Sequence, residues 1–410
     1  MYPCPSISYN INYIFRFYIR EKITYISKIY AKRSYECNRH FSTVICNIPE
    51  KPKIQNSFME KDTTYFGVKE IARRANVSIA TVDRVIHNRT GVSETTRKKI
   101  NDIIIELDYQ PNILASRLAS RKTITLAILI PKVSEETDFW EAPLRGVLRA
   151  EAEIRKYGVV VHTFLFDLND KNSFNLQAEQ ILKADFNGVL LAPSFIEEAK
   201  LFTSECNKQK IPYAFIDSNI PGQNNLSYIG PHLFQSGYVG AKLLTYRLKG
   251  NHKVLVVNIS KEVDSYNYLQ IEEGFRSYFN DHNQPNEIIR IDIHDTDNLS
   301  VARELTRLFH DYQDIEAIFV TNSRVFAVAS FLKKTGRSDI SMIGYDFLKE
   351  NINYLNEGFI DFLICHKPEE QGYRGLMTLY QTLVLGSPVE KVHLMPIDII
   401  TKENQAFYQN

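Results

Sequence analysis

The chain has 410 residues, of which 44% are hydrophobic and 24% charged, and its formal net charge at pH 7 is only +1. This length and composition are typical of a soluble protein with two or three domains, each large enough to bury a core. The five cysteines, an odd number, show no metal-ligand spacing, which argues against a cysteine metal site or a disulfide framework and favours a reducing cytoplasm.

The first 58 residues differ in pattern from the rest of the chain. They are rich in Tyr, Ile, Phe, Lys and Arg, and no helical periodicity is sustained across them. The apolar runs at residues 11–19 and 23–29 are interrupted by charges, so neither reaches the roughly 20 apolar residues of a membrane span. No signal-peptide cleavage pattern follows. We expect residues 1–58 to be an extension upstream of a native start at Met59, with a disordered basic arm as the alternative.

Three short helices are predicted where the regular pattern begins. From Val68 to Ala75, apolar residues recur at i, i+3, i+4 and i+7, which gives the first helix one buried stripe. Ser78 and Ser93 are placed to cap a second helix, at residues 79–87, and a third helix. The three helices are expected to share one small core, and the first two have helix-turn-helix spacing.

The continuation of this segment carries a family resemblance. Pro111 disfavours helix at Gln110, and a short helix of small residues is predicted at 112–120. The run VKEIARRANVSIATVDRVIHNRTGVSETTRKKINDIIIELDYQPNILASRLAS resembles, without a gap, the N-terminal module of the lactose/galactose-repressor (LacI/GalR) family, including its Y-x-P-N-x-x-A-x-x-L-A hinge. The resemblance implies a sequence-specific DNA-binding module. Basic residues are concentrated in this part of the chain, so the neutral total charge does not argue against DNA binding.

The resemblance also places individual residues at the DNA. These are Ser78, Ile79, Ala80, Thr81 and Arg84 in the second helix and Asn112, Ala115 and Leu118 in the hinge. Ile79 and Ala80 are apolar and suit thymine methyl groups, whereas Arg84 can chelate guanine and is expected to give the strongest direct readout. Leu118 is expected to wedge into the minor groove. Asp83 replaces a small hydroxyl residue common in the family, and either orients Arg84 or accepts from a cytosine amino group.

From residue 123 onward, apolar runs alternate with amphipathic stretches. Strands are predicted at residues 124–130, 159–166, 188–192, 213–216, 253–259, 288–293, 317–320, 340–343 and 359–364, and a helix at residues 144–157. This alternation predicts parallel sheets built from βαβ units, and so many strands in about 290 residues favour two α/β lobes with a cleft between them. The region resembles the two-lobed, type I periplasmic-binding-protein-like sensor domain of the same family.

The loops after these strands hold the candidate ligand site, because open α/β sheets bind ligands outside the carboxyl ends of their strands. Phe139 and Trp140, the only tryptophan, stand in a polar loop and offer aromatic faces to a sugar ring. Core packing at a helix start is their alternative role. Asp217, Asn322 and Asp346 follow strands, where the family places groups that bond sugar hydroxyls. Simple loop caps or turn residues are the alternative for the two aspartates.

Two departures from the family leave the ligand open. An arginine that many relatives carry is missing near Ile271, and His366 stands where a glutamine is common. His366 either bonds a ligand hydroxyl or is a surface histidine, and the segment from Pro368 is expected to cross between the lobes. A neutral sugar or polyol is the expected effector, and a phosphorylated sugar is the runner-up, which Arg145 and Arg324 near helix starts keep open.

An enzymatic reading lacks its sequence signatures. The chain contains no G-x-x-x-x-G-K-[ST] phosphate loop, no G-x-S-x-G elbow and no H-E-x-x-H zinc pair. We therefore expect no enzymatic activity, no cofactor and no metal. A stand-alone solute-binding protein of the same sensor fold is the second alternative, against which the DNA-binding module and the lack of a signal peptide argue.

The residues and the resemblance together predict a multidomain protein, with an N-terminal all-α helix-turn-helix domain before the two-lobed α/β sensor. The expected segments are 1–58, the extension; 59–109, the DNA-binding domain; 110–122, the hinge helix and linker; and 123–410, the effector-binding and dimerisation domain. We expect a cytoplasmic, nucleoid-associated regulator, by family default a repressor, with no membrane association. It should bind a pseudo-palindromic DNA operator as a homodimer, with a tetramer as the alternative.

Overall fold

The computed structural model describes residues 67–86, 88–109, 123–134, 137–248, 250–261 and 266–409. The chain divides into two compact units, with the boundary in sequence between Tyr109 and Gln110. The expectations for residues 1–58 and for the hinge residues Asn112, Ala115 and Leu118 lie outside the described residues and stay predictions.

The smaller unit contains the three predicted helices, α1 Val68–Ala75, α2 Ile79–Ile86 and α3 Glu94–Glu106. Their ends follow from local chemistry. Asn76 ends α1 in the left-handed conformation, at φ 58°. Ser78 Oγ accepts a hydrogen bond from the backbone N of Thr81 at 3.1 Å, and Ser93 Oγ accepts one from the backbone N of Thr96 at 3.3 Å. The buried side chains of the three helices form one core: Ile71, Ala72, Ala75, Val82, Val85, Ile100 and Ile103.

The larger unit has two lobes, each built on a six-stranded sheet. Lobe 1 carries β1 Ile124–Pro131, β2 Val159–Phe166, β3 Gly188–Leu191, β4 Tyr213–Ile216, β5 Tyr228–Gly230 and β11 Val392–Leu394. Lobe 2 carries β6 Lys253–Ile259, β7 Ile288–Ile293, β8 Ile315–Val320, β9 Ser341–Tyr345, β10 Phe362–Cys365 and β12 Asp398–Ile400. The strand orders are β11-β5-β4-β3-β1-β2 and β12-β10-β9-β8-β6-β7. The pairs are parallel apart from β10 with β12, which is antiparallel.

Helices cover both faces of each sheet. Those of lobe 1 are α4 Glu141–Ile154, α5 Lys171–Lys183, α6 Ile196–Gln209 and α12 Pro368–Tyr380. Those of lobe 2 are α7 Leu233–Thr245, α8 Tyr266–Asp281, α9 Asn298–Asp311, α10 Val325–Thr335 and α11 Lys349–Glu357. Apolar clusters fill the space on both sides of each sheet. Burial on both faces explains why the central strands are continuous apolar runs.

The chain crosses between the lobes three times, from β5 to α7, from β10 to α12 and from β11 to β12. The crossing predicted at Pro368 is therefore confirmed, as are the nine predicted strands. Strands β5, β11 and β12 were missed because each has only three residues, too few to show an alternating pattern.

Phe139 and Trp140 lie in the connection between β1 and α4, as predicted, but the predicted start of the helix was wrong. Helix α4 begins at Glu141 rather than at Leu144, so the two aromatic residues form the turn directly before the helix. Trp140 is only 4% exposed and belongs to the core of lobe 1. Trp140 therefore has the alternative role, core packing at the start of a helix, although it also lines the cavity described below.

Two further features of the described residues bear on the class of protein. No helix among them is long and apolar enough to cross a membrane. Cys206 and Cys365 are buried free thiols, and burial raises the pKa of the Cys206 thiol to about 12. A thiol held in its protonated form is a poor nucleophile.

Candidate functional sites

The predicted DNA contacts among the described residues lie at the start of α2 and on its outer face. Ser78, Ile79, Ala80 and Arg84 are exposed, and Thr81 is half-buried. Ile79 keeps 49% of its surface exposed, so its methyl groups are available to a thymine methyl. The Ser78 and Thr81 hydroxyls hydrogen-bond each other at 2.9 Å. Because Val82 and Val85 point into the core, the orientation of the exposed face is fixed by packing.

Asp83 has a partner that the sequence did not indicate. Its Oδ2 accepts a hydrogen bond from Arg89 Nη1 at 3.2 Å, and the carbonyl oxygen of Arg89 accepts one from Arg97 Nη2 at 2.9 Å. Pairing with Arg89 reduces the repulsion that a carboxylate at this position would exert on DNA phosphates.

Not every basic residue of the smaller unit is available to phosphates. Glu70 accepts hydrogen bonds from Arg73 at 2.6 Å and from Arg74 at 3.0 Å, and Arg73 and Arg74 lower its pKa to about 2. Arg74 also contacts Glu106 at 2.8 Å. We therefore expect the phosphate contacts to come mainly from cations outside this cluster.

The second site is a polar cavity between the two lobes. All six predicted ligand residues line it: Phe139, Trp140, Asp217, Asn322, Asp346 and His366. The cavity has a volume of about 150 Å³, whereas a cavity needs about 10 to 15 Å³ to hold one water. The cavity therefore has room for roughly ten non-hydrogen atoms, the size of a monosaccharide.

Asp217 and Asp346 face this cavity from opposite lobes. They follow β4 and β9 directly, and both adopt a left-handed backbone, with φ values of 66° and 73°. Asp and Asn adopt this conformation more readily than most residues, so the turn itself favours them there. Burial raises the pKa of Asp217 to about 7, and burial together with the nearby Asp217 charge raises the pKa of Asp346 well above its ordinary value.

His366 lies at the crossing from β10 to α12 and is buried, at 7% exposure, so the surface-histidine alternative was wrong. Its Nε2 hydrogen-bonds Ser236 Oγ at 2.8 Å, and burial lowers its pKa to about 3, so the ring is neutral. Gln371 joins this crossing to lobe 1, because its Nε2 donates to the carbonyl oxygen of His366 at 2.8 Å and its Oε1 accepts from the backbone N of Asp217 at 3.0 Å.

The aromatic wall of the cavity belongs to lobe 1. The rings of Phe139 and Trp140 meet edge to face, with their centroids 5.2 Å apart. The turn that carries them also reaches lobe 2, since Thr137 Oγ1 hydrogen-bonds Ser323 Oγ at 3.1 Å. This buried hydroxyl pair is a direct link between the lobes.

Asn322 has structural bonds in addition to its place in the cavity wall. Its Nδ2 donates to the carbonyl oxygen of Ile259 at 2.7 Å, and its Oδ1 accepts from the backbone N of Arg324 at 3.1 Å. Asn351, fully buried in α11, donates to the carbonyl oxygens of Ser323 and Asp346, each at 3.0 Å. These amides hold the loops after β8 and β9 in one geometry.

Several cavity residues had escaped the sequence argument. Asn267 and Tyr268, in the first turn of α8, line the cavity with Thr137, Ser323 and Gln371. Ser323 lies in the loop after β8, but the other four do not directly follow a strand. A search for residues at the carboxyl ends of strands therefore did not find those four. Asn267 Nδ2 donates to Asp217 Oδ2 at 3.4 Å across the cleft.

The phosphorylated-sugar alternative loses one of its two supports. Arg145 pairs with Glu141 at 3.4 Å and with Glu369 at 3.3 Å and does not line the cavity, whereas Arg324 does. Ile271, near the missing arginine, also lines it and is 4% exposed. Among the described residues, no group of three or more His, Cys, Asp or Glu side chains is arranged to hold a metal ion.

Two family models match this chain. The model described as Periplasmic binding protein domain matches residues 127–387, and the model described as Bacterial regulatory proteins, lacI family, matches residues 67–112. The HTH-type transcriptional regulator RegA of Clostridium acetobutylicum is 37% identical over 107 residues, which span 26% of this chain and 31% of that protein. Catabolite control protein A of Priestia megaterium is 24% identical over 283 residues, or 68% of this chain and 82% of that protein.

Solved structures of similar fold fall into two kinds. A LacI transcriptional regulator from Bacteroides fragilis matches at a TM-score of 0.65 and 30% identity, over 70% of this chain and 100% of that one. A solute-binding protein from Agrobacterium vitis, solved with α-D-tagatopyranose, matches at a TM-score of 0.60 and 19% identity, over 69% of this chain and 96% of that one. At that identity, the second match shows the fold alone.

Proposed function

Because this chain belongs to the LacI family of bacterial regulatory proteins, we propose that it is a sequence-specific DNA-binding transcriptional regulator controlled by a small carbohydrate-like effector. The observation that carries the proposal is that one chain contains both an exposed recognition face on α2 and a polar cleft with room for a monosaccharide. By family default the regulator is a repressor that acts in the cytoplasm, where the chromosome lies.

The alternative function is a sugar-binding sensor with no role at DNA. Selection of duplexes from a random pool by the purified full chain separates the two functions. A regulator should enrich a pseudo-palindromic site and lose affinity steeply as salt rises, because bound cations replace counterions on the phosphates. A chain that enriches no sequence would be a sensor only.

The proposal assigns a separate role to each segment of the chain. Residues 59–109 would bind DNA, residues 110–122 would form the hinge and residues 123–410 would bind the effector and dimerise. In the hinge, Leu118 would insert into the minor groove with Asn112 and Ala115 beside it.

An exposed edge of lobe 1 supports a homodimer. Strand β2 is the outer strand of its sheet, and Val160 and Leu165 on it are 42% and 38% exposed. Leu148 on α4, the helix that precedes β2 in the chain, is 50% exposed. Apolar side chains along an unpaired strand edge are suited to burial against a second copy. Two-fold symmetry would then present two recognition helices to two half-sites.

Effector control requires that the ligand bind the DNA-free and DNA-bound states with different affinities. Asp217 lies on lobe 1, Asp346 on lobe 2 and His366 at a crossing between them. A ligand that contacts all three would favour one arrangement of the lobes. Coupling is reciprocal, so a ligand that weakens operator affinity tenfold must itself bind the operator complex tenfold less tightly, which corresponds to about 1.4 kcal/mol.

Arg84→Ala is expected to relax base discrimination at one operator position by roughly 1 to 3 kcal/mol, because Arg84 is the exposed side chain of α2 that can chelate guanine. Lys98→Ala is the matched control, since Lys98 is an exposed cation on α3 and should weaken binding to all duplexes alike. Affinities for single-base operator variants would measure both effects. Equal discrimination by Arg84→Ala and the parent would contradict a base contact by Arg84.

Trp140 provides a direct signal for ligand entry, because it is the only tryptophan in the chain and lines the cavity. A sugar that enters should change its emission in a saturable way, since the sugar would change the surroundings of the ring at the cavity wall. Titration of the full chain with individual sugars, followed by tryptophan fluorescence, measures this. A sugar that stabilises the protein against heat but leaves the emission unchanged would place the site elsewhere.

A further inference from the structure

Two carboxyl groups meet in the cleft without a described cation to balance them. Asp217 is bonded by the neutral side chains of Ser218 and Asn267, and the groups that shift the Asp346 pKa are burial and Asp217 itself. Two like charges held together in a buried site are costly unless a cation or a proton enters.

The other ionisable groups that line the cavity do not supply that cation. His366 is neutral, because burial lowers its pKa to about 3. The guanidinium of Arg324 donates to the carbonyl oxygen of Ile259 at 2.9 Å and is not among the groups that shift the pKa of either aspartate. Burial raises the pKa of the Tyr345 phenol, so this group carries no charge either.

The cavity also offers an unused acceptor beside the carboxylates. Asn267 Nδ2 donates to Asp217 Oδ2, while its own Oδ1 is buried without a hydrogen-bond partner. Asn267 lines the same cavity as the two aspartates. A buried acceptor without a donor is costly, and in a binding site a donor on the ligand can satisfy it.

We propose that the effector is a sugar or related polyol that carries a protonated primary amine, and that its ammonium group lies between Asp217 and Asp346 within reach of Asn267 Oδ1. This inference rests on the proposed function and names the ligand class of its cleft. An ammonium has three donors, no acceptor and one positive charge, which suits two carboxylates and one amide oxygen. A hydroxyl brings one donor and no charge, and a phosphate would be repelled by both carboxylates.

The test compares monosaccharides in three matched forms, with a hydroxyl, a primary amine or an N-acetylated amine at the same carbon. Each is titrated into the full chain by calorimetry. For a ring that binds, the amine should bind at least about tenfold more tightly than the other two forms, because only the amine is charged. Its affinity should rise between about pH 6 and about pH 7, where Asp217 loses its proton, while the affinity of the hydroxyl form should change little.

The site is tested with Asp346→Asn, which keeps the side-chain shape and tolerates the left-handed backbone. This variant should lose the preference for the amine over the hydroxyl form. Asp339→Asn is the control, since Asp339 lies on the surface of lobe 2 and pairs with Arg337; it should retain the preference.

Two results would overturn the inference. One is that the hydroxyl form of a monosaccharide binds as tightly as its amine form. The proposed amine class would then be wrong, but the proposal of a sugar-controlled regulator would stand. The other is the binding of no amine in the panel, in which case duplex selection still decides independently whether the chain is a DNA-binding regulator.

Discussion

Asp346→Asn should raise the free energy of unfolding of the ligand-free sensor unit at pH 7.5 by roughly 1 to 3 kcal/mol, although it removes a ligand-binding group. Burial and the charge of Asp217 raise the pKa of Asp346, so its ionised form is unfavourable in the fold. The amide keeps the shape and removes the charge. Polar groups that are buried in a binding site can lower the stability of the ligand-free protein, so replacing one of them can raise it.

The direction of the pH dependence follows from the same shifts. A carboxyl whose pKa is higher in the folded than in the unfolded state binds its proton more tightly when folded. Its stabilising effect is complete below the unfolded pKa, about 4, and is lost as pH rises through the folded pKa, about 7 for Asp217. The two aspartates should therefore cost the parent stability as pH rises from about 4 to about 7, whereas deprotonation of buried His366, whose pKa is lowered to about 3, acts in the opposite direction. Because His366 is the same in both proteins, Asp346→Asn should lose less stability than the parent over this range.

Urea unfolding of the ligand-free protein at pH 5 and pH 7.5 measures both effects. Asp339→Asn is the matched control, because Arg337 lowers the pKa of Asp339 and its loss should not stabilise the fold at either pH. If Asp346→Asn were no more stable than the parent at pH 7.5, the Asp346 carboxylate would have to be neutralised by a group in the protein, and the account of the cleft would be wrong.

Gly372→Ala should destabilise lobe 1 by about 3 kcal/mol or more. Helices α4 and α12 touch along their backbones, and a Cβ on Gly372 would lie 2.0 Å from the carbonyl oxygen of Pro143. At the reciprocal position, a Cβ on Gly146 would lie 1.8 Å from the carbonyl oxygen of Glu369. Backbone atoms cannot rotate away, so the helices would have to separate. Helix α12 also carries Gln371, so the cleft should lose its shape as well.

Thermal unfolding of Gly372→Ala, followed together with Trp140 emission, measures the loss. Gly67→Ala is the control, because nothing lies within 4 Å of a Cβ at Gly67 and its φ of −89° is ordinary. It should cost only a few tenths of a kcal/mol as a helix N-cap change. A Gly372→Ala protein as stable as Gly67→Ala would show that the helices are not in backbone contact.

The elements predicted correctly from the sequence are those set by local chemistry. The Ser78 and Ser93 caps and the apolar stripe of α1 need only neighbours a few residues away. Asp217 and Asp346 could each be assigned to a ligand site because ligands bind outside the carboxyl ends of parallel strands, and both residues line the cavity between the two sheets. The sequence therefore predicts both the recognition face and the six cavity residues that follow strands or crossings.

The contacts that were missed depend on tertiary packing. Asn267 lies beside Asp217 only because α8 of lobe 2 faces β4 of lobe 1, and 50 residues separate them in the chain. Asn351 reaches the loops after β8 and β9 from the interior of α11. Asp83 could be recognised as unusual from the sequence, but its pairing with Arg89 required the geometry of the turn after α2.

The most direct test of the account is the affinity of the full chain for its selected operator, measured by fluorescence anisotropy with and without the sugar that changes Trp140 emission. The account predicts that this sugar shifts operator affinity of the parent by about tenfold or more. Asp346→Ala should bind the operator with the parent's affinity and show no shift. Operator affinity that is unchanged by a sugar bound in the cleft, or a full response in Asp346→Ala, would contradict effector control through this site.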